Sequence, residues 1–121
     1  MTRILVIDDE PQVRTMLREI LEDEGYEVVV AVNGNEGLKL YRNEPTDLVI
    51  TDIIMPGKEG LETIKELRKI SPDVKIIAIS GGGRVVPKDY LQVAQAFGAQ
   101  RVFNKPVEYN ELLSTIAELV K

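Results

Sequence analysis

The stretch Arg3-Ile-Leu-Val-Ile-Asp8-Asp9-Glu10 decides the fold. Ile4 to Ile7 are apolar without the polar alternation of a half-exposed strand, so they read as a strand buried on both faces. Carboxylates follow at once. Pro11 then opens a stretch in which Val13, Met16, Leu17, Ile20 and Leu21 recur at helical spacing, and Gly25 closes it. A buried strand, an acidic turn and an amphipathic helix make the first part of a βαβ unit.

The pattern repeats outward from that point. Val28-Val-Val30 with Ala31, Leu48-Val-Ile-Thr51, Lys75-Ile-Ile-Ala-Ile-Ser80 and Arg101-Val-Phe103 are further apolar runs, read like the first as strands buried on both faces. Helical patterns separate them. A short one covers Glu36 to about Arg42 and ends before Pro45. Leu61, Ile64, Leu67 and Ile70 form the next stripe, Tyr90, Leu91, Ala94 and Phe97 a fourth, and Leu112, Leu113, Ile116 and Val120 the last. Five strands alternating with five helices predict an α/β domain with a parallel sheet and helices on both faces. Gly81-Gly-Gly83 followed by Arg84-Val-Val-Pro87 reads as a flexible loop.

Composition removes several chemistries. With 121 residues the chain is one ordinary domain, spanning 1–121, large enough to bury a core. It has no cysteine and no histidine, which excludes a disulfide framework, thiolate or imidazole metal ligands, a Ser-His-Asp triad and a phosphohistidine carried on this chain. The net charge of −5 makes it a poor general binder of nucleic acid or anionic lipid. No apolar run is long enough to span a bilayer and no signal peptide precedes the first strand, so the expected location is the cytoplasm.

In a parallel sheet of this kind ligands bind outside the carboxyl ends of the strands. Strand one ends in Asp8-Asp9, strand three in Asp52, strand four in Ser80, and strand five runs into Asn104-Lys105-Pro106. Adjacent carboxylates repel unless a cation or a proton intervenes. Hard carboxylate oxygens suit Mg²⁺; equally, Asp8 and Asp9 suit the turn that caps the first helix. Asp52 is either a turn residue before Pro56-Gly57 or a carboxylate nucleophile able to carry a phosphoryl group. Such a transfer needs charge neutralisation more than proton removal, so the lack of histidine is no obstacle. Ser80 is a candidate hydrogen-bond donor to a phosphoryl oxygen. Lys105 is either a solvated stem or the partner of the aspartates, and a cis Lys105–Pro106 bond would aim its ammonium inward.

The ordered set Asp8-Asp9, Asp52 in Asp-Ile-Ile-Met-Pro56-Gly57, Ser80 and Lys105-Pro106 resembles the receiver domain of two-component response regulators, similar to the bacterial chemotaxis regulator. The likeness runs from Arg3 to Val120, and Gly25-Tyr26, Gly60-Leu61 and Gly98-Ala99 agree with it. It implies a flavodoxin-like, doubly wound (βα)5 fold with strand order 2-1-3-4-5. It implies that Asp52 accepts a phosphoryl group from a phosphohistidine on a sensor histidine kinase or histidine phosphotransfer protein. Asp9, Asp52 and the backbone carbonyl of Ile54 would bind Mg²⁺, with Asp8 acting mainly through a coordinated water. Lys105 and Ser80 would bind phosphoryl oxygens. The domain would catalyse its own phosphorylation and slow dephosphorylation, with a switch as its main role. Its readout would be a downstream protein effector or a fused output domain, through the fourth helix, fifth strand and fifth helix. The expected state is a monomer or a phosphorylation-dependent dimer, either stand-alone or part of a longer regulator or hybrid kinase.

The chain departs from the family pattern at Val102, where many members carry an aromatic three residues before the lysine. Phe103 should face the opposite side of the sheet. We therefore expect reorganisation of the loop over 81–89 to carry more of the signal. The positions two after Asp52 and two after Ser80, which often tune phosphoryl lifetime in the family, are Ile54 and Gly82 and offer no charge. Three other readings stand beside this one. The first is a receiver-like binding module that works without phosphorylation. The second is an aspartate-nucleophile phosphatase, disfavoured by Glu10 where that class has a second Asp. The third is a flavin carrier, disfavoured by scarce aromatics and the lack of a flavin phosphate loop.

Overall fold

The computed structural model describes residues 1–53, 60–80 and 89–121. Strands β1 (Arg3–Ile7), β2 (Glu27–Ala31), β3 (Leu48–Asp52), β4 (Lys75–Ser80) and β5 (Arg101–Asn104) alternate with helices α1 (Pro11–Asp23), α2 (Gly34–Asn43), α3 (Gly60–Ile70), α4 (Asp89–Phe97) and α5 (Tyr109–Leu119). All strand pairs are parallel, and the order is β2-β1-β3-β4-β5, as the resemblance implied.

Period-two alternation along each strand splits the core into two layers. Leu5, Ile7, Val49 and Ile76 face α2, α3 and α4 and pack on Leu38, Ile64 and Leu67. Ile4, Val6, Ile50 and Ile77 face α1 and α5 and pack on Leu17, Leu21, Leu112 and Ile116. Each fully buried aliphatic side chain contributes about 1.5–3 kcal/mol. Val102 joins the first layer and Phe103 the second, so the two do face opposite sides of β5.

The outer strands depart from the expectation of burial on both faces. Glu27, Arg101 and Asn104 are exposed, and Val29, Val30, Val102 and Phe103 are only half-buried. Both strands lie at edges of the sheet, a property of strand order that a local run does not encode. Helix α2 begins two residues before the expected Glu36. Asn33 caps it, its Oδ1 accepting the Glu36 N–H at 2.8 Å, while Glu36 Oε1 accepts the Val32 N–H at 3.0 Å. Three residues of the expected apolar stripes are exposed: Ile70 at the end of α3, Phe97 at the end of α4, and Met16 on the flank of α1, where its sulfur accepts from Tyr109 Oη. In α4, Ala94 is buried and Phe97 is exposed, whereas the Tyr90 and Leu91 side chains lie outside the described residues. Gly25 closes α1 with φ +92°, a conformation that favours glycine. No helix among the described residues is long and apolar enough to cross a membrane.

Candidate functional site

Hydrogen bonds just past the ladders tie the carboxyl ends of neighbouring strands together. Asp8 N–H donates to Ala31 O, Ile53 N–H to Ile79 O and Lys105 N–H to Ser80 O. Beyond β1 the chain turns sharply: Asp8 Oδ1 accepts the Glu10 N–H at 2.9 Å, and Arg14 Nη1 donates to the Asp8 carbonyl at 2.7 Å. At β3, the Gly60 N–H donates to Ile53 O, and the start of α3 lies so close that a Cβ on Gly60 would overlap the Asp52 carbonyl oxygen. The Lys105–Pro106 peptide is cis.

These constraints gather one charged cluster. Carboxylate oxygens of Asp8, Asp9, Glu10 and Asp52 lie within 4.8 Å of one another. Lys105 Nζ reaches three of them: Glu10 Oε1 at 2.6 Å, Asp52 Oδ2 at 2.9 Å and Asp8 Oδ2 at 3.0 Å. The Lys105 side chain is 6% exposed and those of Asp8 and Asp52 2% each, whereas Glu10 is 38% exposed. The solvated-stem reading of Lys105 therefore fails. The turn reading of Asp8 holds beside its place in the cluster, since its Oδ1 accepts the N–H of Glu10, the N-cap residue of α1, which makes no side-chain cap bond of its own.

Burial pushes the Asp8 carboxyl above its ordinary range and the charge of Asp52 adds to that; the Glu10 N–H and Lys105 oppose it. Burial alone would lower the Lys105 ammonium, but its contacts with Glu10, Asp52 and Asp8 outweigh burial and hold it above the ordinary lysine range. Among the described residues, the cluster sets four carboxylates against the one Lys105 ammonium, a formal excess of three negative charges when all are ionised. Asp8 Oδ2 accepts no aligned hydrogen bond and meets Lys105 only as an ion pair. A buried, incompletely satisfied carboxylate oxygen among all-oxygen donors fits a hard divalent cation such as Mg²⁺. Beside Lys105, a cleft of about 310 Å³ is lined largely by apolar groups, among them Val13, Met16, Leu17, Pro106 and Val107.

The structure thus brings together Asp8, Asp9, Asp52 and Lys105. Ser80 ends the neighbouring strand, 1% exposed, one residue beyond the Ile79 that pairs with Asp52. Its Oγ donates to Asn104 Oδ1 at 3.3 Å. Ile54, Gly82 and the Gly81-Gly-Gly83 loop lie outside the described residues. Two participants went unassigned in the sequence. Glu10 is the shortest contact of Lys105, and Asn104 holds the Ser80 hydroxyl. The acidic run gave a hint of Glu10, but nothing local signalled Asn104.

The comparisons agree with this geometry. The family model described as response regulator receiver domain matches residues 4–117. The chemotaxis protein CheY of Thermotoga maritima is 34% identical over 120 residues, covering 98% of each chain. Sporulation initiation phosphotransferase F of Bacillus subtilis is 31% identical over 114 residues, covering 94% of this chain and 90% of the other. A crystal structure of response regulator protein TrrA from Thermotoga maritima, in complex with Mg(2+)-BeF, superposes with a TM-score of 0.87 at 40% identity, covering 98% and 99% of the two chains. A doubly wound sheet with an acidic cluster and a buried lysine at its carboxyl edge, matched by family and relatives over nearly its whole length, makes this chain a member of the response regulator receiver domain family.

Proposed function

We propose that residues 1–121 form one receiver that accepts a phosphoryl group on Asp52 in a Mg²⁺-dependent reaction. The donor is a phosphohistidine on a sensor histidine kinase or histidine phosphotransfer protein. The observation that carries the reading is Lys105 Nζ held 2.9 Å from Asp52 Oδ2, both side chains nearly fully buried, in an acidic cluster. A carboxylate oxygen of Asp52 attacks phosphorus; the new P–O bond forms as the P–N bond to imidazole breaks, and the imidazole leaves. Lys105 neutralises charge on the phosphoryl oxygens, and Ser80 donates its hydroxyl to another. Asp8, Asp9 and Asp52, with the Ile54 carbonyl that lies outside the described residues, would hold Mg²⁺. That ion supplies the charge neutralisation an anionic nucleophile needs to approach an anionic phosphoryl group. Support also comes from the crystallised relative in complex with Mg(2+)-BeF. The apolar cleft beside Lys105 suits a donor protein that must seat its histidine over Asp52.

Phosphorylation adds close to two negative charges at a fixed point. The conformational population then shifts by the differential affinity of Lys105 and Ser80 for that group, and the signal passes to a protein effector or output domain. The test is intact mass after incubation with acetyl phosphate and Mg²⁺. A phosphoryl adduct is expected in the wild type and is absent from Asp52→Asn and from a sample without Mg²⁺. Failure of the wild type both to form the adduct and to bind beryllofluoride overturns the reading and leaves a binding module that works without phosphorylation.

A further inference from the structure

Among the described residues Lys105 has three carboxylate partners, but they differ in what releasing it entails. Asp8 and Asp52 are 2% exposed and are tied into the strand ends; Glu10 is 38% exposed and sits at the head of α1. Glu10 also makes the shortest contact, 2.6 Å. It is thus the one partner that can let go of the ammonium and pass into water, with no buried charge left behind. It makes no side-chain cap bond on α1, and its Oε1 is placed on the lysine.

Resting on the phosphoryl-acceptor reading, we propose that Glu10 is a positioning residue: it competes with the phosphoryl group for Lys105 and so lowers the affinity of the resting protein for that group. In the unphosphorylated protein Glu10 tethers Nζ toward α1. On phosphorylation the ammonium passes to the phosphoryl oxygens, and the Glu10 carboxylate, repelled by the new charge, swings to solvent. The position then sets how readily the site is occupied.

The experiment is titration with beryllofluoride at saturating Mg²⁺, read by calorimetry and by ¹⁹F NMR, for wild type, Glu10→Gln and Glu10→Asp. Gln keeps the shape but loses the charge. Asp keeps the charge but is one methylene short of Lys105, which Asp8 and Asp52 hold in place. Both variants are expected to bind beryllofluoride several-fold more tightly than wild type, with Mg²⁺ affinity changed by less than about twofold. Tightening by Gln without tightening by Asp would reduce Glu10 to a general charge effect and overturn the tether. Unchanged or weaker binding by both overturns it too, and a large loss of Mg²⁺ affinity would make Glu10 a metal ligand instead. A wild type that binds no beryllofluoride overturns the acceptor reading itself, and the tether with it.

Discussion

Replacing Lys105 with Met removes the ammonium while keeping an unbranched apolar side chain of similar length. Asp8 and Asp52, each 2% exposed, then lose their buried cation. Deleting one partner of a buried ion pair costs about 3–5 kcal/mol, because the remaining charge stays out of water. Unfolding entropy of roughly 2.1 cal/mol/K per residue gives about 0.25 kcal/mol/K for a chain of this length, so Tm should fall by about 12–20 °C. The pH dependence identifies the cause. In the wild type the Lys105 pKa is raised, so its contribution is complete below the unfolded lysine value and fades only in strong alkali. In Lys105→Met the already raised Asp8 carboxyl loses an opposing cation and rises further. The folded state then binds a proton more tightly than the unfolded state, so stability increases as pH falls towards the ordinary carboxylate range and the deficit narrows. Urea denaturation in metal-free buffer over that fall in pH measures both effects. A deficit below about 1 kcal/mol at pH 7.5, or one that does not change with pH, would refute the argument.

Other outcomes follow from the same contacts. Asp8→Asn in an otherwise native chain relieves a carboxyl whose pKa burial has raised; its stabilising effect in metal-free buffer should be largest near pH 8 and shrink as pH falls, read by thermal melts. Gly60→Ala places a Cβ against the Asp52 carbonyl and should cost about 1–3 kcal/mol in chemical denaturation; the acetyl phosphate adduct should drop with it. Asn33→Ala removes the cap of α2 and should cost about 1 kcal/mol, with faster amide exchange in the first turn of that helix. Asn104→Ala frees the Ser80 hydroxyl and should tighten beryllofluoride binding; unchanged affinity would show that the Ser80–Asn104 bond does not restrain the switch.

The sheet was legible because Ile4 to Ile7, Leu48 to Ile50 and Ile76 to Ile79 are continuous apolar runs, and continuity is what burial on two faces demands. The half-exposure of β2 and β5 was not legible, since it depends on which strands end up at the edges. Asp52 and Lys105 stood out because charge immediately after such a run is placed at a known edge of the sheet. The lysine's choice of Glu10 lay hidden: the two are 95 residues apart, and only closure of the sheet brings them to 2.6 Å. Asn104 was hidden for the same reason, as its partner Ser80 comes from the adjacent strand. The loop over 81–89, expected to carry much of the signal, falls largely outside the described residues.

At the opposite edge of the sheet, Arg68 of α3 has a bearing on how α4 can move. Its guanidinium donates to the carbonyls of Pro72 and Val74 through Nη1 and to that of Gly98 through Nη2, while Gly98 N–H closes α4 on Ala94 and Gln95. One side chain thus pins the trailing end of α4 to the α3–β4 turn. Were α4 to tilt about that end, it would be a lever of nine residues, about 13 Å long at 1.5 Å per residue. A tilt of roughly 10° would then swing its leading end by about 2 Å while leaving Gly98 in place. In such a tilt the leading end of the helix would travel furthest, and Arg68 would be the bearing on which it turns.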